Sequence, residues 1–245
     1  MPDRVLDTRD RGINHLALRC LIVNADDFGH SAEVNAGVIH AHEHGIVTST
    51  SLMVRRPAVE EAAAYARSRP QLSMGLHVEL GEWQFADGAW LSAGTVDDDR
   101  VAAEVEAQIE RFVALVGRDP THLDSHQHTH LTEPARSAVL DVGRRLRVPV
   151  RQLDPRVRYF GGFYGQNDTG EPFPEGITAE NLRTIVRSLE DGITELGCHP
   201  AVGAVPGSSY SAEREQELAT LCDPSVRTTL AETGVELRSF AGLLP

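Results

Sequence analysis

The 245-residue sequence predicts one α/β domain of the (β/α) TIM-like barrel type, with a metal site at the C-terminal ends of its strands. Three observations point there. Short apolar runs alternate with amphipathic segments of helix length, the pattern of successive βα units feeding a parallel sheet. The chain is 41% hydrophobic but only 5% aromatic, so Val, Leu, Ile and Ala must fill the core, as buried parallel strands require. Metal-type side chains fall where the strand-like runs end. The length needs no second domain, since α/β barrels reach this size undivided.

Residues 20–25 (CLIVNA) read as a buried strand delivering Asp26 and Asp27 at its C-terminal end, where α/β folds place their chemistry. Ser31 is an N-cap for a helix running to His44 and closed by Gly45, with Val34, Val38 and Ile39 inward. A strand over 48–53, a helix opened by Pro57 and ending at Ser68, and a strand over 72–80 carrying His77 continue the alternation. Residues 82–99, with Trp83, Phe85 and Trp90, are too long for a connector and are expected to pack as a lid. A helix over 101–116, a strand over 121–125, a helix over 133–147 and a strand over 148–153 bearing Arg151 follow. The Gly-, Pro- and aromatic-rich stretch 154–177 reads as a substrate-side loop, with Tyr159 and Tyr164 able to stack on a sugar ring or simply to pack. A helix over 178–190, a strand over 194–198 ending in His199-Pro200, helices over 211–221 and 225–233, and a strand over 235–239 complete the chain. There is no internal repeat or linker.

Residues 121–130 (THLDSHQHTH) hold four of the eleven histidines. In a strand, His122, Asp124 and His126 share one face while Leu123 points into apolar packing. Imidazole and carboxylate suit zinc and other divalent first-row ions, and a buried unpaired Asp would be costly. A solvated turn with idle histidines stays open. His40 and His44, four apart near a helix C-terminus, suit solvent and the helix dipole better than a metal.

Composition excludes several classes. With 36 acidic against 23 basic residues the net charge is −13, which opposes attraction to phosphate backbones and anionic membranes, so neither nucleic acid nor membrane is an expected partner. Every basic residue is Arg; without Lys there is no Schiff base, P-loop lysine or pyridoxal phosphate attachment. Cys20, Cys198 and Cys222 lack C-x-x-C spacing and suggest neither disulfides nor a thiolate site. Residues 1–19 are polar and carry both charge signs, without the apolar run of a signal peptide, so they read as an N-terminal extension to a soluble cytoplasmic protein in which His15 lies at the surface. No stretch approaches the ~20 apolar residues of a membrane helix. A homodimer is left open.

Three strand ends present metal-type side chains, Asp26 and Asp27, then His77, then Asp124 and His126, with His199 ending a later strand, and one carboxylate with two imidazoles would leave open positions on a divalent ion, as a catalytic site needs. The motifs IVNADDFG (22–29), GIVTSTSLMV (45–54), GLHVEL (75–80), THLDSHQHTH (121–130) and ELGCHPA (195–201) together resemble the YdjC/ChbG-type carbohydrate deacetylases. The resemblance covers about residues 20–240. It implies a distorted (β/α) barrel over residues 20–245 that removes the N-acetyl group of an amino sugar or short chito-oligosaccharide with one divalent ion, magnesium or zinc. It puts Asp27, His77 and His126 on the metal ligands, Asp26 on the general base and His199 on the general acid. Arg151 would orient Asp26, or pair a structural Asp; Asp124 would bond a ligand imidazole, and His128 and His130 would line the site or support the ligands. His30 stands where the family usually has an apolar residue, and the loop after His77 is short for long oligosaccharides. Two alternatives stand beside this reading: another barrel amidohydrolase or phosphoesterase using His126-Gln127-His128 as H-x-H, and a catalytically silent sugar-binding relative.

Overall fold

The computed structural model describes residues 18–86, 89–167 and 169–244. The N-terminal extension with His15 therefore falls almost wholly outside the described residues. Parallel strands form one curled sheet in the order β6-β3-β2-β1-β8-β7. The strands are β1 (Arg19–Phe28), β2 (Ser49–Leu52), β3 (Ser73–Val78), β6 (Leu123–Ser125), β7 (Val157–Phe160) and β8 (Gly192–Cys198), and β9 (Glu236–Arg238) pairs with the start of β1. The helices between them are α1 (Ala32–Glu43), α2 (Val59–Ser68), α3 (Val101–Val116), α4 (Ala135–Leu146), α5 (Ala179–Ser188), α6 (Ser211–Leu221) and α7 (Pro224–Thr233). This is the distorted (β/α) barrel the sequence predicts, with β1 at its centre.

The alternation of β1 sorts its side chains. Leu21, Val23 and Ala25 join the main apolar core that the helices cover, while Ile22 packs on Val157 and Phe240 in a second cluster. Asn24 and Asp26, buried on the same face as Ile22, carry that face up toward the site. α3 supplies Val101, Val105, Ile109, Phe112 and Val116 to the core, a helical stripe of the kind its sequence predicts. Ser31 caps α1 by accepting from the Val34 amide.

Three expectations need correction. Residues 148–153 are not a strand: Val150 makes a single parallel bridge to Leu123, and the chain turns at once, closed by Leu153 N–H donating to the Val150 carbonyl at 3.0 Å, with Gln152 at φ 59°. Pro149 has no N–H to extend a ladder there. Within the expected loop 154–177, β7 pairs in parallel with β8, Val157 beside Ile193 through Phe160 beside Leu196. The expected lid contains an antiparallel hairpin, β4 (Glu82–Ala86) with β5 (Ala89–Ala93). The side chains of Trp83, Phe85 and Trp90 lie outside the description. No helix among the described residues is long and apolar enough to cross a membrane. The three cysteines are free, Cys20 and Cys198 buried.

Candidate active site

Strict alternation would send Asp26 and Asp27 to opposite faces of β1. The backbone prevents this at Asp27, whose φ of 66° is left-handed, and the pairing of β1 with β2 slips between Ala25 and Phe28. A non-glycine residue there costs roughly 1–2 kcal/mol, so the bend must be held by its surroundings. The bend that brings both carboxylates into one site thus lies at Asp27 itself.

Asp27 Oδ1 sits 3.4 Å from His77 Nε2 and 3.3 Å from His126 Nδ1. It is buried and has no hydrogen-bond partner among the described residues. The register of β3 against β6 sets His77 beside Asp124, and His77 Nδ1–H donates to Asp124 Oδ1 at 2.8 Å. That bond occupies Nδ1 and leaves Nε2, the other ring nitrogen, facing Asp27. His126 is brought in by a tight turn after β6, where Gln127 and His128 take left-handed φ values of 52° and 55°. One carboxylate oxygen and two ring nitrogens thus converge within 4.8 Å of one another, and these residues could hold a divalent ion. The orphaned Oδ1 is what such an ion would satisfy.

Burial alone would raise the Asp27 carboxyl. The Arg214 guanidinium overrides it, aided by the His126 and His77 imidazoles, and holds the group well below the ordinary carboxylate range. Arg214 Nη2 donates to Asp27 Oδ2 at 2.5 Å.

Asp26 is gripped differently. Arg151, its side chain fully buried, donates from Nη1 to Asp26 Oδ2 at 2.6 Å and from Nη2 to Oδ1 at 2.7 Å. The same guanidinium reaches Asp124 Oδ2 at 3.0 Å and Glu195 Oε1 at 2.7 Å. Burial acts to raise the Asp26 carboxyl, but Arg151 outweighs it and the group lies below its usual value. Glu195 goes the other way: burial dominates over Arg151 and pushes it up to about 7. Asn24 and Ser51 complete the network, Asn24 Nδ2 donating to Asp26 Oδ1 at 2.8 Å and Ser51 Oγ to Asp124 Oδ2 at 2.6 Å.

His199 ends β8 with Nε2 3.9 Å from Asp26 Oδ2 and Nδ1 3.7 Å from Glu217 Oε1. Burial depresses its pKa, but the Glu217 carboxylate, with Asp26 and Asp27 behind it, raises it above the ordinary value overall. Glu217 is itself fixed by Tyr210, whose hydroxyl donates at 2.6 Å.

The remaining histidines separate cleanly. His130 is buried with Nδ1 2.7 Å from Ser125 Oγ and Nε2 donating to the Arg151 carbonyl at 3.1 Å, so it braces the turn that carries Arg151. His128 lies outside the three-atom group, its Nε2 3.4 Å from the Tyr159 hydroxyl. Burial lowers both rings to about 4, the Arg151 charge adding to it for His128, so they are neutral at pH 7. His122 shares a face with Asp124, stacks on Phe240 at 3.9 Å and occupies the space left by Gly75, where a Cβ would stand 2.4 Å from its ring. His40 and His44 face each other on α1, outside both ligand groups. His30 is half-buried beside the site, and burial lowers it despite Asp27.

A family model described as YdjC-like protein matches residues 20–232. The chain belongs to the YdjC-like family. It is 36% identical over 250 residues to a carbohydrate deacetylase of Geobacillus stearothermophilus, covering 91% of this chain and 97% of that protein. It is 34% identical over 262 residues to a chitooligosaccharide deacetylase of Enterobacter sp. (strain 638), covering 92% and 99%. Among solved structures it is similar to one from Enterococcus faecalis V583, provisionally described as a cellobiose-phosphate cleavage protein, with a TM-score of 0.75, 26% identity and coverage of 93% and 100%.

Of the residues of this YdjC-like chain that surround the site, Asn24, Ser51 and Glu195 lie within the motifs without a role read from them, and Arg214 and Glu217 lie outside the motifs altogether. The signal for the last two lies in α6, whose buried face carries Tyr210, Arg214, Glu217 and Leu221 at helical spacing. Charged residues on the buried stripe of a helix must have partners, and a helix with that pattern is pointing at a polar site. Tyr159 packs on the Arg151 guanidinium at 5.2 Å, whereas Tyr164 stacks on Tyr210 at 4.6 Å and stays 38% exposed beside His199.

Proposed function

We propose that this YdjC-like chain is a metal-dependent carbohydrate deacetylase, hydrolysing the N-acetyl group of an amino sugar or short chito-oligosaccharide to acetate and free amine. The observation that carries the reading is the buried Asp27 Oδ1, without a hydrogen-bond partner among the described residues and set between two imidazole nitrogens, with a carboxylate and a histidine flanking it. The names of the two curated relatives support the same class.

Asp27, His77 and His126 would hold the ion, magnesium or zinc, which when bound supplies Lewis acidity and makes water more acidic at neutral pH. The rest falls to the chain's own residues. Asp26 takes a proton from the attacking water; Arg151 keeps it ionised and holds both its oxygens in a fixed plane. His199 gives a proton from Nε2 to the departing nitrogen as the C–N bond breaks, with Glu217 on its Nδ1 side favouring the protonated ring. Water oxygen ends in acetate and the His199 proton ends on the amine. The exposed face of Tyr164, 5.5 Å from the His199 ring centre, is suited to a sugar ring. Arg151 and Asp124 act on Asp26 and His77; His130 acts on the Arg151 turn.

Among the described residues His128 faces Tyr159 and Gln152 and lies outside the group formed by Asp27, His77 and His126, which favours this ligand set over the H-x-H reading of His126 and His128. Chelated protein resupplied with magnesium or zinc should release acetate from N-acetylglucosamine or diacetylchitobiose and nothing from cellobiose phosphate. Sugar binding without acetate release under every metal would sink the proposal in favour of a silent sugar-binding protein.

A further inference from the structure

Arg214 belongs neither to the three-atom group nor to the proton-transfer pair, yet it touches both. It comes from the first turn of α6 and is 7% exposed. Its Nη2 holds Asp27 Oδ2 at 2.5 Å, its Nη1 reaches the His199 carbonyl at 3.4 Å, and its guanidinium lies 5.8 Å from the centre of the Tyr210 ring. The Arg214 carbonyl also accepts from the Ala201 amide at 3.3 Å, joining α6 to the chain just beyond His199. One side chain thereby ties the end of β1 to the end of β8.

We propose that Arg214 is a positioning residue that restricts Asp27 to a single metal-facing oxygen and fixes that oxygen relative to His199. The inference rests on the metal-dependent reading above. A carboxylate can grip a divalent ion through one oxygen or two. With Oδ2 taken by the guanidinium, only Oδ1 faces His77 and His126, so a position on the ion stays open for water and substrate, which a catalytic site requires. The arrangement has a cost with a definite sign. A guanidinium close to a cation repels it, so Arg214 weakens ion binding even as it improves the geometry. A neutral outer partner would instead strengthen binding. Arg214 should therefore separate metal affinity from turnover. Lysine retains the charge at Oδ2 but lacks the fork that reaches the His199 carbonyl as well.

The test compares wild type, Arg214→Met and Arg214→Lys, measuring zinc dissociation constants by calorimetry, acetate release from diacetylchitobiose at saturating zinc, and the visible spectrum of cobalt(II)-loaded protein. Arg214→Met should bind one zinc at least as tightly as wild type, with altered cobalt bands and kcat lowered about 10- to 100-fold, the range for residues that orient a metal ligand. Arg214→Lys should match wild-type zinc affinity and recover part of kcat, and it serves as the measured variant if Arg214→Met does not fold. Zinc affinity weakened about tenfold or more in the measured variant, or kcat within about threefold of wild type in Arg214→Met, overturns the inference by the same scale. A wild-type protein that takes up no ion overturns the proposed function with it.

Discussion

His77 donates from Nδ1 to Asp124 Oδ1 across 2.8 Å, so its other ring nitrogen, Nε2, is turned toward Asp27 Oδ1, 3.4 Å away. Asp124 decides what His77 can bind. In Asp124→Asn the amide would face the Ser51 hydroxyl and Arg151 with a donor, or turn and present that donor to His77. Metal affinity should fall about 10- to 100-fold, read by titration of chelated protein, with activity recovering in excess metal. Unchanged affinity would mean that His77 is oriented by something else.

Glu217 should set the alkaline limb of activity. His199 donates its proton only when protonated, so kcat/KM falls as pH rises through its pKa. Burial lowers that pKa and Glu217 more than reverses it. Removing the carboxylate in Glu217→Gln should move the alkaline limb of the kcat/KM profile to lower pH, with metal content unchanged. A limb that does not move removes His199 from the acid role.

Arg151 should matter to stability as much as to turnover. It is enclosed by Asp26, Asp124 and Glu195, and removing one member of a buried ionic cluster costs about 3–5 kcal/mol because the others are left unpaired. Arg151→Met should show a loss of that size in urea unfolding. The sign with pH follows from the same contacts. Asp26 and Asp124 have folded pKa values below their unfolded ones, so their contribution is present above the ordinary carboxylate pKa and lost as pH falls through the depressed values. Wild type should lose more stability than Arg151→Met on acidification below the ordinary carboxylate range. Equal losses would show that Arg151 does not hold these groups ionised.

The fold was legible in the sequence wherever periodicity carried it. Residues 101–116 and 211–221 form helices with the bounds their patterns predict, because buried stripes and caps are local properties. The stretch 148–153 misled because Val148, Val150 and Leu153 look like a strand, whereas its course is set by Pro149 and by the pull of three carboxylates on Arg151. β7 was hidden by the aromatic and glycine content of the loop around it. In the site, Asp26, Asp27, His77, His126 and His199 were visible as polar residues at strand ends. Arg214, Glu217 and Glu195 were not, since a buried charge announces itself only once its helix or strand is known to face other charges. The left-handed turn at Asp27 carried only a weak sequence signal, since aspartate enters that region more readily than most residues but far less often than glycine.

The division of labour between Asp26 and Asp27 is the centre of this account, and the metal content and acetate release of Asp26→Asn and Asp27→Asn, measured side by side, test it most directly. Asp26→Asn should keep one ion per chain and lose turnover by about 10²- to 10⁴-fold, the scale of general acid–base catalysis. Asp27→Asn should lose its ion first, with activity partly restored by excess metal. An Asp26→Asn protein stripped of metal beside an Asp27→Asn protein that retains it would reverse the two roles, and near-wild-type turnover in Asp26→Asn would contradict the assignment of the base.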